Sequence, residues 1–310
     1  MAYGVPGFRI GHVTDGEALT GCTVALCPPK TVGSCDVRGS SPATRETALL
    51  APDKTMQEVH AIVLTGGSAF GLASADGVMK YLSEHDVGYQ TPWVKVPIVP
   101  AAAIFDLNLG SHSVYPTASE GYRACEDARE SNSLQGNVGA GTGATLGKWA
   151  GADYRMKGGL GTSTATDGDL VVGCVAVVNS VGDVVDAEGR VIAGAKKDGE
   201  FVAPKTGLRL LSRENIPKAT NTTLICIATN ARLSKVHAHR LAQRAHDGVA
   251  RAIVPAHTSY DGDIVFALAS GSVEAFFDVV AELGAEATAR AIRSAAANAR
   301  SAGGVPGVAG

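Results

Sequence analysis

The residues best suited to chemistry lie in the last third of the chain. Asn221-Thr222-Thr223 follows a long polar stretch and opens the apolar run TTLICIAT. A threonine at such a junction can cut the chain before itself. Its hydroxyl attacks the preceding carbonyl, the acyl group moves from nitrogen to oxygen, and hydrolysis frees a new amino terminus. The freed α-amine has a reference pKa of about 7.7–8.0, so it can take the proton of its own neighbouring Oγ without a histidine. Taken alone, the tripeptide reads equally well as an ordinary strand entry. Downstream, Asp261-Gly262-Asp263 ends a loop just ahead of the apolar run at 264–268. Two carboxylates flanking a glycine read as solvated turn residues, as a fragment of a calcium loop, or as a pair that holds a protonated amine and tunes its pKa. The calcium reading lacks the bidentate glutamate that such a loop requires.

Other candidates carry less. Gly66-Gly67-Ser68 sits between a strand and a helix, where a nucleophile elbow would stand, but position 70 is phenylalanine and the GxSxG pattern fails. Ser68 reads more simply as a helix N-cap, and the amides of Gly66, Gly67 and Ser68 as an anion or oxyanion site. A serine hydrolase using Ser68 is the alternative enzyme reading. Gly139-Ala140-Gly141-Thr142-Gly143-Ala144 fits a GxGxxA dinucleotide pattern, yet no strand precedes it and no helix follows. His237, His239 and His246 share one predicted helix with no HExxH, and read as surface polar residues. The six cysteines include no CxxC pair, so neither structural zinc nor a redox motif is expected. Cys174 and Cys226 read as small buried apolar side chains. No metal and no organic cofactor is expected.

These groups need a scaffold. The 310 residues suffice for a substantial core, and 45 % are hydrophobic against 18 % charged. Glycine is the outlier, at 38 residues, about 12 % against an average of about 7 %. Basic and acidic residues, 27 and 30, nearly cancel, and no Lys or Arg run exceeds two, so neither nucleic acid nor an anionic membrane is an expected partner. The first five residues lack the pattern of a signal peptide, and no run approaches the length of a membrane span. A reducing cytoplasm is the expected setting.

The pattern predicts strands at 9–13 and 22–26 around an Asp15-Gly16 turn, a loop at 36–46, and a strand at 59–64 turning into a helix that ends near Leu82. Residues 96–107 read as extended because of Pro97 and Pro100. Residues 136–161 read as glycine-rich loop with short strands at most, and 169–179 as a buried strand. A hairpin is expected over 181–192 and a surface loop over 195–218. The run at 222–229 is a strand, Ser234 caps a helix to about Ala252, and 264–269 is a strand. Two alanine-rich helices follow, at 272–283 and 285–301. The fold class is a layered α/β arrangement (α+β) rather than regular βαβ repeats.

In order along nearly the whole chain stand Asp36-Val37-Arg38-Gly39 with Thr44-Arg45-Glu46, Leu64-Thr65-Gly66-Gly67-Ser68, Val96-Pro97-Ile98-Val99-Pro100 through Ile104-Phe105-Asp106, the 139–148 glycine loop, Val178-Asn179, Asn221-Thr222-Thr223, and His257-Thr258 with Asp261-Gly262-Asp263. As a set they resemble the self-processing L-aminopeptidase/D-amidase-esterase family, which includes β-peptidyl aminopeptidases and nylon-oligomer hydrolases. The resemblance implies a four-layer αββα sandwich akin to N-terminal-nucleophile hydrolases with different connectivity. It implies one hydrolase domain over 1–310, cut into 1–221 and 222–310, and a tetramer of cleaved protomers. It implies Thr222 as nucleophile released by cleavage after Asn221, and Asn179 as an oxyanion donor. Lys148 matches a lysine near the nucleophile, with Lys157 its rival in the same glycine-rich region. Asp261 and Asp263 match the acidic pair of the nylon-oligomer branch. That branch has a tyrosine where this chain has Phe105, so any hydroxyl supplied there is absent. The implied activity is an aminopeptidase or amidase on short peptides, amino-acid amides or esters. The alternatives are a nylon-oligomer amidase and a non-catalytic member of the fold that never cuts itself.

Overall fold

The computed structural model describes residues 3–202 and 220–310. In chain order the main elements are β1 (Arg9–Asp15), β2 (Thr20–Leu26), β3 (Val32–Val37), β4 (Ala43–Arg45), β5 (Ala61–Thr65), α1 (Ser74–Glu84), β6 (Ala101–Ala103), α2 (Ala118–Glu126), β7 (Gly159–Asp167), β8 (Leu170–Asn179), β9 (Thr222–Ala231), α3 (Lys235–Ala252), β10 (Ile264–Val273) and α4 (Phe277–Ala297). One five-stranded sheet has the order β1-β2-β5-β6-β4 and the other β7-β8-β9-β10-β3. Both are mixed, each with one parallel pair, β5 with β6 and β9 with β10.

Strand alternation explains how the two sheets stack. Leu224, Cys226 and Ala228 of β9, with Ile264, Phe266 and Leu268 of β10, join Ile10, Ile62, Leu64 and Ala102 in a core between the sheets. The intervening Ile225, Ile227, Val265 and Ala267 point the other way, into a second core with Leu241, Ala245 and Val249 of α3 and Ile292 and Ala295 of α4. A third core holds Val24 and Val63 of the first sheet against Ala75 and Val78 of α1 and Ala124 of α2. The order is therefore helices, sheet, sheet, helices. The central strands β8 and β9 and the first six residues of β10 are almost wholly buried on both faces, so they read as apolar runs rather than alternating ones. Among the described residues no helix is long and apolar enough to cross a membrane. All six cysteines are free, with Cys174 and Cys226 fully buried.

Several sequence expectations are corrected. One helix, Phe277–Ala297, stands where two were expected over 272–301. β10 runs on to Val273, and α4 passes through Gly284, which lies against Leu241 and Ile227 instead of ending a helix. The glycine-rich region does not remain loop to 161, because Gly159 begins the nine-residue strand β7, paired with Leu170–Val178 of β8. Gly161 there admits the backbone of α4 at a distance that no side chain would allow. The helix after the 65–68 turn is broken into Ser68–Gly71 and α1. Helix α2 has no counterpart in the sequence expectations, although its capping box is legible: Thr117 receives the Ser119 amide, and Glu120 returns to the Thr117 amide. Of the surface loop expected at 195–218, residues 196–201 form a small hairpin and 203–218 lie outside the described residues.

Helices α1 and α2 meet through two glycines. A Cβ on Gly77 would stand 1.7 Å from the Ala118 carbonyl oxygen, and one on Gly121 would stand 1.9 Å from that of Ser74. Backbone cannot yield as a flexible side chain can. Gly77→Ala should lower unfolding stability by about 1–3 kcal/mol in denaturant titration. Gly16→Ala should leave it nearly unchanged, since nothing lies within 4 Å of the added carbon. Equal effects from the two variants would refute this account of the helix contact.

Candidate active site

Strand pairing brings the chemistry-bearing residues together. Asn179 ends β8 and Thr222 begins β9, and the two are register partners in the antiparallel pair. Because β10 runs parallel to β9, the segment before β10 lies beside the segment that opens β9. An isolated parallel bridge joins Asn221 to Asp261. The Gly262 amide donates to the Asn221 carbonyl at 2.8 Å, and the Thr223 amide donates to Asp263 Oδ1 at 2.6 Å. The Thr222 hydroxyl donates to the same Asn221 carbonyl at 2.5 Å. That carbonyl thus receives an amide and the hydroxyl of the next residue. Gly262 must be glycine here, because a Cβ would fall 2.5 Å from the Ser41 carbonyl oxygen and 3.0 Å from Thr222 Oγ1.

Asn179 is the hub. Its Oδ1 accepts from the Thr145 amide at 3.0 Å and from Lys148 Nζ at 3.0 Å. Those donors fix the amide orientation, so the NH₂ faces the carbonyls of Phe105 at 3.2 Å and Thr220 at 3.0 Å. Lys148 arrives from a short helical turn, Lys148–Ala150, held by the Gly147 and Trp149 amides on the Gly182 and Val181 carbonyls. Its Nζ also donates to the Asn179 carbonyl at 3.2 Å. Burial pulls the Lys148 pKa down to about 7, with nearby Asp261 opposing that shift. Lys157 goes elsewhere. Its Nζ donates to the carbonyls of Thr142 and Ala144, and its charge faces Asp106. The structure therefore brings Lys148, and not Lys157, to Asn179.

The carboxylates are buried and differently held. Asp261 accepts from the Val181 amide and from the Thr258 amide and hydroxyl. Burial, and then the charge of Asp263, raise its pKa to about 6. Asp263 Oδ2 accepts from the His257 amide at 3.2 Å and from His257 Nδ1 at 2.7 Å. Sequence reasoning assigned no role to His257 or Thr258. The available signal was their position directly ahead of the two carboxylates. His246 is also corrected: it is 1 % exposed rather than a surface residue, and its ring meets that of His257 edge to face at 4.7 Å.

The oxyanion reading of Gly66, Gly67 and Ser68 is corrected as well. Their three amides already donate within the chain, to the Gly21 carbonyl, to Asp106 Oδ1 and to the Ile104 carbonyl. Ser68 is not the cap. Gly67 holds that position, and Ser68 itself has φ +54°. Among the described residues no group of three or more His, Cys, Asp or Glu side chains is arranged to hold a metal ion.

A family model described as Peptidase family S58 matches residues 3–309. An uncharacterized aminopeptidase of Mycobacterium leprae (strain TN) is 43 % identical over 291 residues, covering 87 % of this chain and 78 % of that protein. A 6-aminohexanoate-oligomer endohydrolase of Agromyces sp. (strain KY5R) is 31 % identical over 281 residues, covering 88 % and 76 %. The solved L-aminopeptidase D-Ala-esterase/amidase of Ochrobactrum anthropi, a variant of the Ntn hydrolase fold, superposes with a TM-score of 0.73 at 18 % identity, covering 98 % and 89 %.

The buried lysine generates a pH prediction. Lys148 loses its proton near pH 7 in the folded chain but near its ordinary 10.5 when unfolded. Between those values the unfolded chain binds more protons, so this residue makes folding more favourable as pH rises. Wild type should therefore gain thermal stability relative to Lys148→Met as pH is raised from about 7 towards 10. Parallel melting-temperature curves for the two proteins over that range would exclude this account of the lysine.

Proposed function

Because this chain belongs to peptidase family S58, we propose that it is a self-processing aminopeptidase or amidase acting through a Thr222 acyl-enzyme on short peptides, amino-acid amides or esters. The observation that carries the proposal is the Asn221 carbonyl, which lies 2.5 Å from Thr222 Oγ1 and receives the Gly262 amide at 2.8 Å. In self-cleavage Thr222 Oγ attacks that carbonyl carbon, and the Gly262 N–H stabilises the developing oxyanion. The C–N bond to Thr222 breaks, nitrogen takes the hydroxyl proton, and an ester joins Asn221 to Oγ. Water cleaves the ester, leaving a carboxylate on Asn221 and a free α-amine on Thr222. The products are chains 1–221 and 222–310.

In turnover the freed amine takes the Oγ proton as Oγ attacks the substrate carbonyl. Departure of the 220–221 segment frees Asn179 Nδ2 from the Thr220 carbonyl, and that donor then meets the substrate oxyanion. Lys148 keeps Asn179 oriented, and its cation favours a neutral amine by like-charge repulsion. Asp263 and Asp261 lie on the side of the new terminus and orient it. The amine product leaves with the transferred proton, and water releases the acyl group. The full set of unpaired cysteines supports a reducing, cytoplasmic setting, and a homotetramer of cleaved protomers completes the reading.

A second reading is a nylon-oligomer amidase. The similarity to a 6-aminohexanoate-oligomer endohydrolase and the Asp261/Asp263 pair favour it, while Phe105 supplies no hydroxyl. Aminoacyl p-nitroanilides assayed beside 6-aminohexanoate oligomers separate the two.

Purified protein should run on a denaturing gel as two pieces of about 23 and about 9 kDa, the division that a nucleophile at position 222 requires. Thr222→Ala should remain a single 31.5 kDa chain without amidase activity. A wild-type chain that stays intact and still turns over substrate would eliminate the Thr222 mechanism.

A further inference from the structure

Asp263 is gripped on both oxygens by different parts of the fold. Oδ1 takes the Thr223 amide from the nucleophile's own strand. Oδ2 takes two donors from His257, the amide and Nδ1. His257 holds this posture at φ +55°, a conformation that non-glycine residues adopt only where surroundings enforce it.

The enforcing surroundings are identifiable. The His257 ring meets the ring of His246 from α3 edge to face, at 78° between planes. His246 Nε2 lies 3.1 Å from the Asp36 carbonyl of β3. A carbonyl only accepts, so Nε2 carries the hydrogen. In the neutral ring Nδ1 is then bare, and it is buried without a partner among the described residues. Burial, followed by the neighbouring His257, lowers the His246 pKa to about 4, so this ring is a neutral wedge near pH 7. The charged and titratable groups facing His257 are therefore Asp263, His246, and the Asp36–Arg38 ion pair behind His246.

We propose that His257, with its ring fixed by His246, is a positioning residue for Asp263. Its Nδ1–H holds the carboxylate in the rotamer that faces the amino terminus Thr222 acquires on cleavage. This rests on the Thr222 reading given above. His257 does not touch the reacting atoms. It acts by fixing where Asp263 meets the amine. The two carboxylates thereby differ in kind: Asp261 is held by the Thr258 turn and a main-chain amide, whereas Asp263 is held by a titratable ring.

Two substitutions test this on cleaved enzyme. In His257→Asn the side-chain NH₂ stands near the place of Nδ1–H, and asparagine tolerates positive φ. His257→Gly relieves the backbone but removes the donor. With an aminoacyl p-nitroanilide as probe, His257→Gly should lower kcat about tenfold to a hundredfold, with KM within about twofold, as expected for a misplaced catalytic group. Its acid limb in the kcat pH profile should shift. His257→Asn should recover kcat to within about threefold of wild type. The proposal is overturned if His257→Gly retains wild-type kcat and pH profile, or if both variants fall equally with unshifted profiles and differ only in melting temperature. Failure of wild type to cleave before Thr222 would strike the underlying reading instead, and a gel of the same samples reports it.

Discussion

Parallel pairing of β9 with β10 is the constraint on which the site depends. It sets Asn221-Thr222-Thr223 alongside Asp261-Gly262-Asp263, two segments about forty positions apart in the sequence. Both strands are buried on both faces, between the second sheet's helices and the first sheet. A one-residue slip would exchange the two faces and unpair the Gly262 amide from the Asn221 carbonyl. The cores on either side therefore fix the register, and the register aligns Thr222 with the Asp261-Gly262-Asp263 segment.

That alignment carries an electrostatic cost. Lys148, Asp261 and Asp263 are all buried within the same few strand ends. Desolvation moves Lys148 down and Asp261 up until both titrate near neutrality. Hydrogen bonds offset part of the cost. Lys148 is held by both oxygens of Asn179, and the carboxylates by main-chain amides, a threonine hydroxyl and a histidine. Groups poised near neutrality and held by fixed partners can exchange protons without reorganising their surroundings, which is the condition acid–base chemistry requires. Asn179 links the two halves of this arrangement, since one amide meets the lysine and the carbonyl of Thr220, two residues before Thr222.

Glycine takes specific places in this picture. Gly77 and Gly121 let two helices cross at backbone distance, and Gly262 lets a main-chain N–H reach the carbonyl beside Thr222. In the sequence Gly77 is one position of a helix expected to end near Leu82, and only Gly262, between two carboxylates, looks like a turn residue. Their requirement comes from what lies opposite, a neighbour that a single chain segment cannot display.

Local pattern alone was enough for the apolar strands and the Ser234 cap, and it marked the Asn221-Thr222 junction and the Asp261/Asp263 pair as candidates whose roles came only with the family resemblance. Strand periodicity, capping and a carboxylate pair are properties of a few adjacent residues, so they are legible without a fold. The misread parts depend on distant partners. Gly159–Gly161 belong to a strand because β8 and α4 lie against them, and Gly284 stays helical because Leu241 and Ile227 close around it. Lys148 and Lys157 are alike in sequence context, and only the strand ends direct one to Asn179 and the other to the carbonyls of Thr142 and Ala144. The free-looking amides of Gly66–Ser68 are taken by residues up to 45 positions away, and His246 becomes buried only when α3 packs on β3. The sequence by itself determined which groups are capable of reaction. The tertiary structure decided which of them meet, because burial and hydrogen bonding are set by long-range register rather than by neighbours in the chain.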